Sequence, residues 1–155
     1  MEKKYSELIE IYHNRAKYEA EDRFIWNRYY LDNYSFNKRV EFVTDLIKKD
    51  VKEDFLLEIK FWDNTELVLD FFKKLKNKNY FLEDYKGGEK PGIIIVDDKN
   101  LEIEFFTELL QCHYNYELAE EPSLNIKILL FINKKTDIIV YDFYDDRGFI
   151  VNYYM

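Results

Sequence analysis

Residues 124–154 read LNIKILLFIN-KKT-DIIVYDFY-DDRG-FIVNYY, and this stretch decides the fold. Three apolar runs, 124–133, 137–144 and 149–154, are separated by four residues or fewer. A parallel crossover needs about a dozen residues, so gaps this short leave only antiparallel hairpins. The runs therefore predict a three-stranded meander. In its last connection, DDRG, Gly148 is expected to supply the positive φ of a four-residue loop or bulged turn. Asp145 and Asp146 can accept backbone N–H bonds there, and Arg147 can pair with either. The same letters, Tyr144 to Gly148, could also be a recognition tip or a metal site.

Upstream of the meander, periodicity supplies the remaining elements. Tyr5, Leu8, Ile9, Tyr12 and Ala16 recur at helical spacing and predict a helix over about 2–20. RFIWNRYY (23–30) is aromatic-rich and breaker-free, which suits a strand. Asn33 or Ser35 is placed to cap a helix with Phe36, Val40, Val43 and Ile47 on one face. DFLLEIKFW (54–62) reads as a strand. A third helix, capped by Asn64 or Thr65, turns Leu67, Val68, Phe71, Phe72 and Leu75 inward and Lys73, Lys74, Lys76 and Lys78 outward. KGGEKPG (86–92) is a loop delivering the short buried strand IIIVDD. A fourth helix, about 99–116, places Leu101, Phe105, Phe106, Leu109, Leu110 and His113 on one side. The expected fold class is α+β: one domain, 1–155, with a mainly antiparallel sheet of about five strands and about four helices packed on it.

Composition bounds the function. The chain has 155 residues, 47% hydrophobic and 35% charged, the balance of a globular domain able to bury a core unaided. Its 14 Tyr and 13 Phe accompany abundant Asn, Lys and Ile, the bias of AT-rich bacterial and phage genomes. A single cysteine, Cys112, cannot form an internal disulfide, which suits a reducing compartment. MEKKYSELIEIYHNR carries charge every few residues and has no apolar core of a signal peptide, and no run approaches 18 apolar residues. These features lead to the expectation of a cytoplasmic protein that does not enter a membrane.

Few residues suggest chemistry. The two histidines, His13 and His113, are far apart, and adjacent Cys112 and His113 point about 100° apart on a helix, too divergent to close on one ion. Nucleophile-elbow and phosphate-cradling patterns are missing. Glu58 and Lys60 in EIK match half of a metal-dependent nuclease core, whose upstream acid would have to be Asp45, Asp50 or Asp54; Asp145 and Asp146 are the further acids on which such an enzyme could be built. The same triplet arises on any strand with one solvated face. No cofactor is implied.

Charge is the more informative signal. The net charge is −8, which argues against direct contact with nucleic acid. Asp97, Asp98, Glu102, Glu104, Glu108, Glu117, Glu120 and Glu121 fall within 25 residues and are opposed only by Lys99. Such a run is either a solvated face or a patch that docks a basic partner, with Tyr114 and Tyr116 as candidate aromatic anchors. Asp145, Asp146 and Arg147 form a secondary candidate.

Phe131, Ile132, Asn133, Ile138, Ile139 and Tyr144 to Gly148 resemble the pattern of an uncharacterised family of bacterial domains of unknown function. In that family a strand ending in Tyr-Asp-Asp-Arg-Gly follows a Phe-Ile-Asn strand. RFIW and FNKRVEFVTDLI lie in the order that the resemblance implies, whereas Phe149-Ile150 stand where the family has Asp-Val. The family brings no catalytic residues. In size and acidity the chain is also similar to immunity proteins that neutralise secreted toxins. The functional expectation is an acidic inhibitor of a basic toxin, such as a nuclease, acting as a monomer or homodimer. A phage-encoded inhibitor of a host defence protein and a metal-dependent hydrolase are the alternatives.

Overall fold

The computed structural model describes residues 2–48, 50, 53–63, 65–73, 80–83, 90–97, 102–145 and 147–155, with the side chains of 80–82 excluded. Its helices are α1 (Glu2–His13), α2 (Arg15–Ala20), α3 (Phe36–Ile47), α4 (Thr65–Phe72) and α5 (Ile103–Glu117). The strands are β1 (Phe24–Tyr30), β2 (Asp54–Phe61), β3 (Tyr80–Glu83), β4 (Gly92–Val96), β5 (Ile126–Asn133), β6 (Ile138–Asp145) and β7 (Gly148–Tyr154). All seven join one sheet in the order β1-β7-β6-β5-β2-β4-β3, and each neighbouring pair is antiparallel. The α+β class and the terminal meander are as the gap lengths predict.

The strand order follows from a late insertion. β1 and β2 run parallel and are joined through α3, yet the three strands of the meander lie between them. Among the described residues β7 is therefore the sole partner of β1 within the sheet. The connections β1-α3-β2, β2-α4-β3 and β4-α5-β5 each link parallel strands across at least one other, so each needs a helix to cross the sheet. Residues 80–83 form the strand that sequence periodicity missed, a four-residue edge too short to show alternation.

Two cores lie on opposite faces. Phe55, Leu57, Ile59, Ile128, Leu130, Tyr141, Phe143, Phe149 and Val151 meet α3, α4 and α5 through Val40, Val43, Val68, Phe72, Phe106 and Leu109. Leu56, Ile95, Leu129, Phe131, Val140 and Tyr154 meet α1 through Leu8, flanked by Tyr5, Ile9 and Tyr12. A side chain buried this completely contributes about 1.5–3 kcal/mol, so the double-sided strands carry most of the driving force.

Several local expectations need correction. The first helix breaks at Asn14, which begins α2 in a non-helical conformation, so Ala16 leaves the buried stripe and is exposed. On α4, Val68, Phe71 and Phe72 are buried but Leu67 is 55% exposed. Ser35 occupies the N-cap position of α3 with extended backbone, without a side-chain capping bond. Asn64, Leu75, Lys74, Lys76, Lys78, Leu101 and loop positions 86–89 lie outside the described residues.

The DDRG turn is tighter than expected. Asp145 pairs with Gly148, so both belong to strands and only two residues span the turn. Gly148 does not adopt a left-handed backbone; a Cβ there would strike the carbonyl oxygen of Tyr29. Glycine is required by the close approach of β1 to β7. Asp145 accepts the Arg147 backbone N–H at 2.8 Å and its guanidinium at 2.7 and 2.9 Å.

Left-handed backbone occurs instead at Asp22, with φ 54°, and at Ala119, with φ 56°, just past the end of α5. At Ala119 the Glu120 N–H reaches the Asn115 carbonyl at 2.9 Å and the Ala119 N–H reaches Tyr116 at 3.4 Å, the two bonds of a Schellman helix end. A Cβ in that conformation costs about 1 kcal/mol relative to glycine. Ala119→Gly is therefore expected to stabilise the protein by about 1 kcal/mol, read as a higher urea midpoint at unchanged slope.

Candidate functional site

α5 sorts its side chains by spacing. Phe106, Leu109, Leu110, His113 and Tyr114 face the core, while Glu104, Glu108 and Glu117 face solvent. His113 donates from Nδ1 to the Ile126 carbonyl at 2.9 Å, tying the helix to β5. Tyr114 is fully buried and meets Phe36 edge-on at 6.2 Å, so it is a core residue and cannot anchor a partner. The spacing 106, 109, 110, 113, 114 already contained that answer. Tyr116 is 42% exposed, as an anchor must be.

The chain then folds back beside α5. Asn115 donates to the Pro122 carbonyl at 2.8 Å, and the Leu124 N–H reaches the Cys112 carbonyl at 3.1 Å. This pinned segment forms one rim of a cleft of about 870 Å³. Phe36, Phe71 and Leu118 give it apolar walls, and Glu108, Glu120 and Glu121 line it with carboxylates. A second cleft, about 380 Å³, lies between α3 and α5 and is lined by Asp45, Lys48, Glu104 and Glu108. Glu108 belongs to both, so the two form a continuous acidic surface. That Phe36, Phe71, Leu118 and Asp45 line these clefts is not legible in the sequence, because only packing of α3 and α4 beside α5 brings them there.

The other acids of the run disperse. Asp97 follows β4 and accepts the Lys4 ammonium at 3.0 Å, with Asp54 on the same lysine at 2.5 Å; it helps hold α1 and is not part of the acidic clefts. Glu102 sits at the α5 N-cap and Glu117 in its last turn, both exposed. Asp98 and Asp146 lie outside the described residues. Asp145 is engaged by Arg147 at the β6–β7 turn and does not line either acidic cleft.

Under α1 lies a second polar cluster, on the opposite face. Glu58 is almost completely buried, accepts a hydrogen bond from the Tyr5 hydroxyl and stands 3.6 Å from the Lys60 ammonium. Burial, reinforced by Glu58, pushes the Tyr5 phenol well above its ordinary range. Asp142, not Asp145, is the acid in register near Glu58, with Leu129 of β5 between them. Tyr12 donates to Asp142 at 3.2 Å. Of the suggested acids, Asp145 thus stands apart from Glu58 and Lys60, three residues further along β6 and bound to Arg147, and Asp146 lies outside the described residues. Among the described residues no group of three or more His, Cys, Asp or Glu side chains converges as metal ligands. Among them, too, no helix is long and apolar enough to cross a membrane.

No family model, curated protein or solved structure matches this chain.

Burial raises the Asp142 carboxyl above its ordinary value, against the opposing effects of Tyr12, Lys127 and Lys60. A carboxyl raised on folding binds its proton more tightly in the native state, so its contribution to stability falls as pH rises through that interval. Asp142→Asn keeps an acceptor for Tyr12 and removes the buried charge. Its urea midpoint is expected to exceed that of the wild type at about pH 7, the gain shrinking as pH falls toward and below about 3.9, where Asp142 becomes protonated in both states.

Proposed function

We propose that the protein is an acidic binding protein that inhibits a basic protein partner by occluding it. The observation that carries this reading is the cleft in which Glu108, Glu120 and Glu121 surround the apolar walls Phe36, Phe71 and Leu118. Apolar walls supply contact area, and the carboxylates select a partner bearing Lys or Arg beside an apolar or aromatic side chain. The surrounding acids, Glu104 and Asp45 included, add a field that accelerates encounter.

The partner class in this reading is a toxin of the basic, nuclease-like kind, and the protein is its cytoplasmic immunity protein. Support comes from size, the net charge of −8 and the acidic clefts, together with the sequence likeness of the Tyr144–Gly148 hairpin to bacterial domains of unknown function. Inhibition requires no chemistry from the chain: its carboxylates occupy the basic groups with which such a toxin grips phosphate.

The test is affinity capture from the source cells, identification of the retained protein, and co-expression of the two. A basic protein whose toxicity is relieved by co-expression is expected. Glu108→Lys with Glu120→Lys should slow association about tenfold or more at low ionic strength, with a smaller effect at high salt. Undiminished binding by the double variant would overturn the assignment of this face. A partner without basic character would overturn the inhibitor reading.

A further inference from the structure

Among the described residues the sheet has one long uncovered edge, β1. Its ladder to β7 runs without a bulge from Phe24↔Tyr154 to Tyr30↔Gly148. The strand reads FIWNRYY, with no proline or lysine to blunt it. Ile25, Trp26 and Tyr30 are 55%, 48% and 68% exposed.

Hydrogen-bond parity defines what the edge offers. The Leu31 N–H donates to Arg147 at 2.7 Å, and the Met155 N–H donates to Arg23 at 2.8 Å. These continue the β1–β7 register and place the odd-numbered residues of β1 in its hydrogen-bonded pairs. The N–H and C=O groups of Phe24, Trp26, Arg28 and Tyr30 therefore point away from the sheet. Their side chains share the face carrying α1 and α2, where the Arg15 guanidinium lies 4.6 Å from the Phe24 ring centroid.

We infer that the occupant of this edge is β1 of a second copy, paired antiparallel about a two-fold axis through Asn27, so that two seven-stranded sheets become one. This does not rest on the inhibitor reading. In this register the outward pairs are Phe24 with Tyr30′ and Trp26 with Arg28′, each occurring twice, and all are hydrogen-bonded. Ile25 meets Tyr29′, and Asn27 meets its own mate. The guanidinium of Arg28 already lies over aromatic rings within its own chain, 5.9 Å from Tyr30 and 5.7 Å from Tyr144. The dimer gives it Trp26′ as well, the ring type with the strongest attraction for a cation. Sliding the strands two residues one way sets Arg28 against Arg28′, and the other way sets Trp26 against Trp26′. Either slip shortens the ladder. Charge and length thus select the same isologous register.

Sedimentation velocity on the full chain at high micromolar concentration is expected to show twice the chain mass, dissociating on dilution. Amide exchange of the wild type should protect Phe24, Trp26, Arg28 and Tyr30 in the concentrated sample and release them on dilution. Trp26→Lys, which opposes Arg28′ with a like charge at two symmetric places, should weaken the dimer about tenfold or more. Trp26→Glu, which gives Arg28′ a carboxylate, should retain it. A monomeric wild type would overturn the inference, as would a dimer whose four outward amides exchange freely. A dimer insensitive to Trp26→Lys, or equally broken by Trp26→Glu, would overturn the register. Circular dichroism and thermal melts confirm that each variant is folded, and the wild-type exchange experiment decides the matter if one is not.

Discussion

Burial of the central strands on both faces is the constraint on which the rest of the structure depends. β5 lies fourth of seven, sending Ile128, Leu130 and Ile132 to one core and Leu129 and Phe131 to the other. Neither core can be covered by the strands themselves, so each face requires helices. The three crossovers put α3, α4 and α5 on one face, and the chain's first helices cover part of the other. Because β1 pairs only with β7, the first strand has no strand partner until the last one is in place. Long-range pairing of this kind makes folding depend on contacts far apart in sequence.

The two faces bear different chemistry. On the α1 side the helix is held by polar bonds at its tips: Lys4 to Asp54 and Asp97, Tyr5 to Glu58, and Tyr12 to Asp142. The Tyr154 hydroxyl donates to the Tyr12 carbonyl at 3.0 Å, and burial leads the effects that push this phenol up to about 12. On the α3–α5 side the interface is mainly apolar, with the buried His113 bonded to the Ile126 carbonyl, and Glu104 and Glu108 stand at the solvent surface. That separation lets the outer surface of α5 be acidic at little cost to the core, since Glu104 and Glu108 displace no apolar contact. The carboxylates so displayed carry the proposed recognition.

Much of the fold was legible because it follows from local rules. Loop length alone gave the meander, and the Val40, Val43, Ile47 stripe gave α3. Pairing order was not legible, since nothing in FIWNRYY or DFLLEIKF says that three later strands will come between them. Gly148 was recognised as necessary for the wrong reason: its role lies in contact with Tyr29, invisible without β1 in place. The acidic run was visible as charge, but its division was not. Asp97 goes to Lys4 on the other face, while Glu108, Glu120 and Glu121 gather around Phe36 and Phe71, which come from distant helices.

The central functional claim is that the acidic α3–α5 face receives the basic partner. It is tested most directly by amide chemical-shift mapping of the isotope-labelled protein on addition of the basic protein captured with it. Shifts concentrated at Asp45, Glu108, Asn115, Leu118 and Glu120 are the expected result. Shifts confined to the opposite face, around Lys60, Lys127 and Asp142, with the α5 surface unchanged, would contradict it.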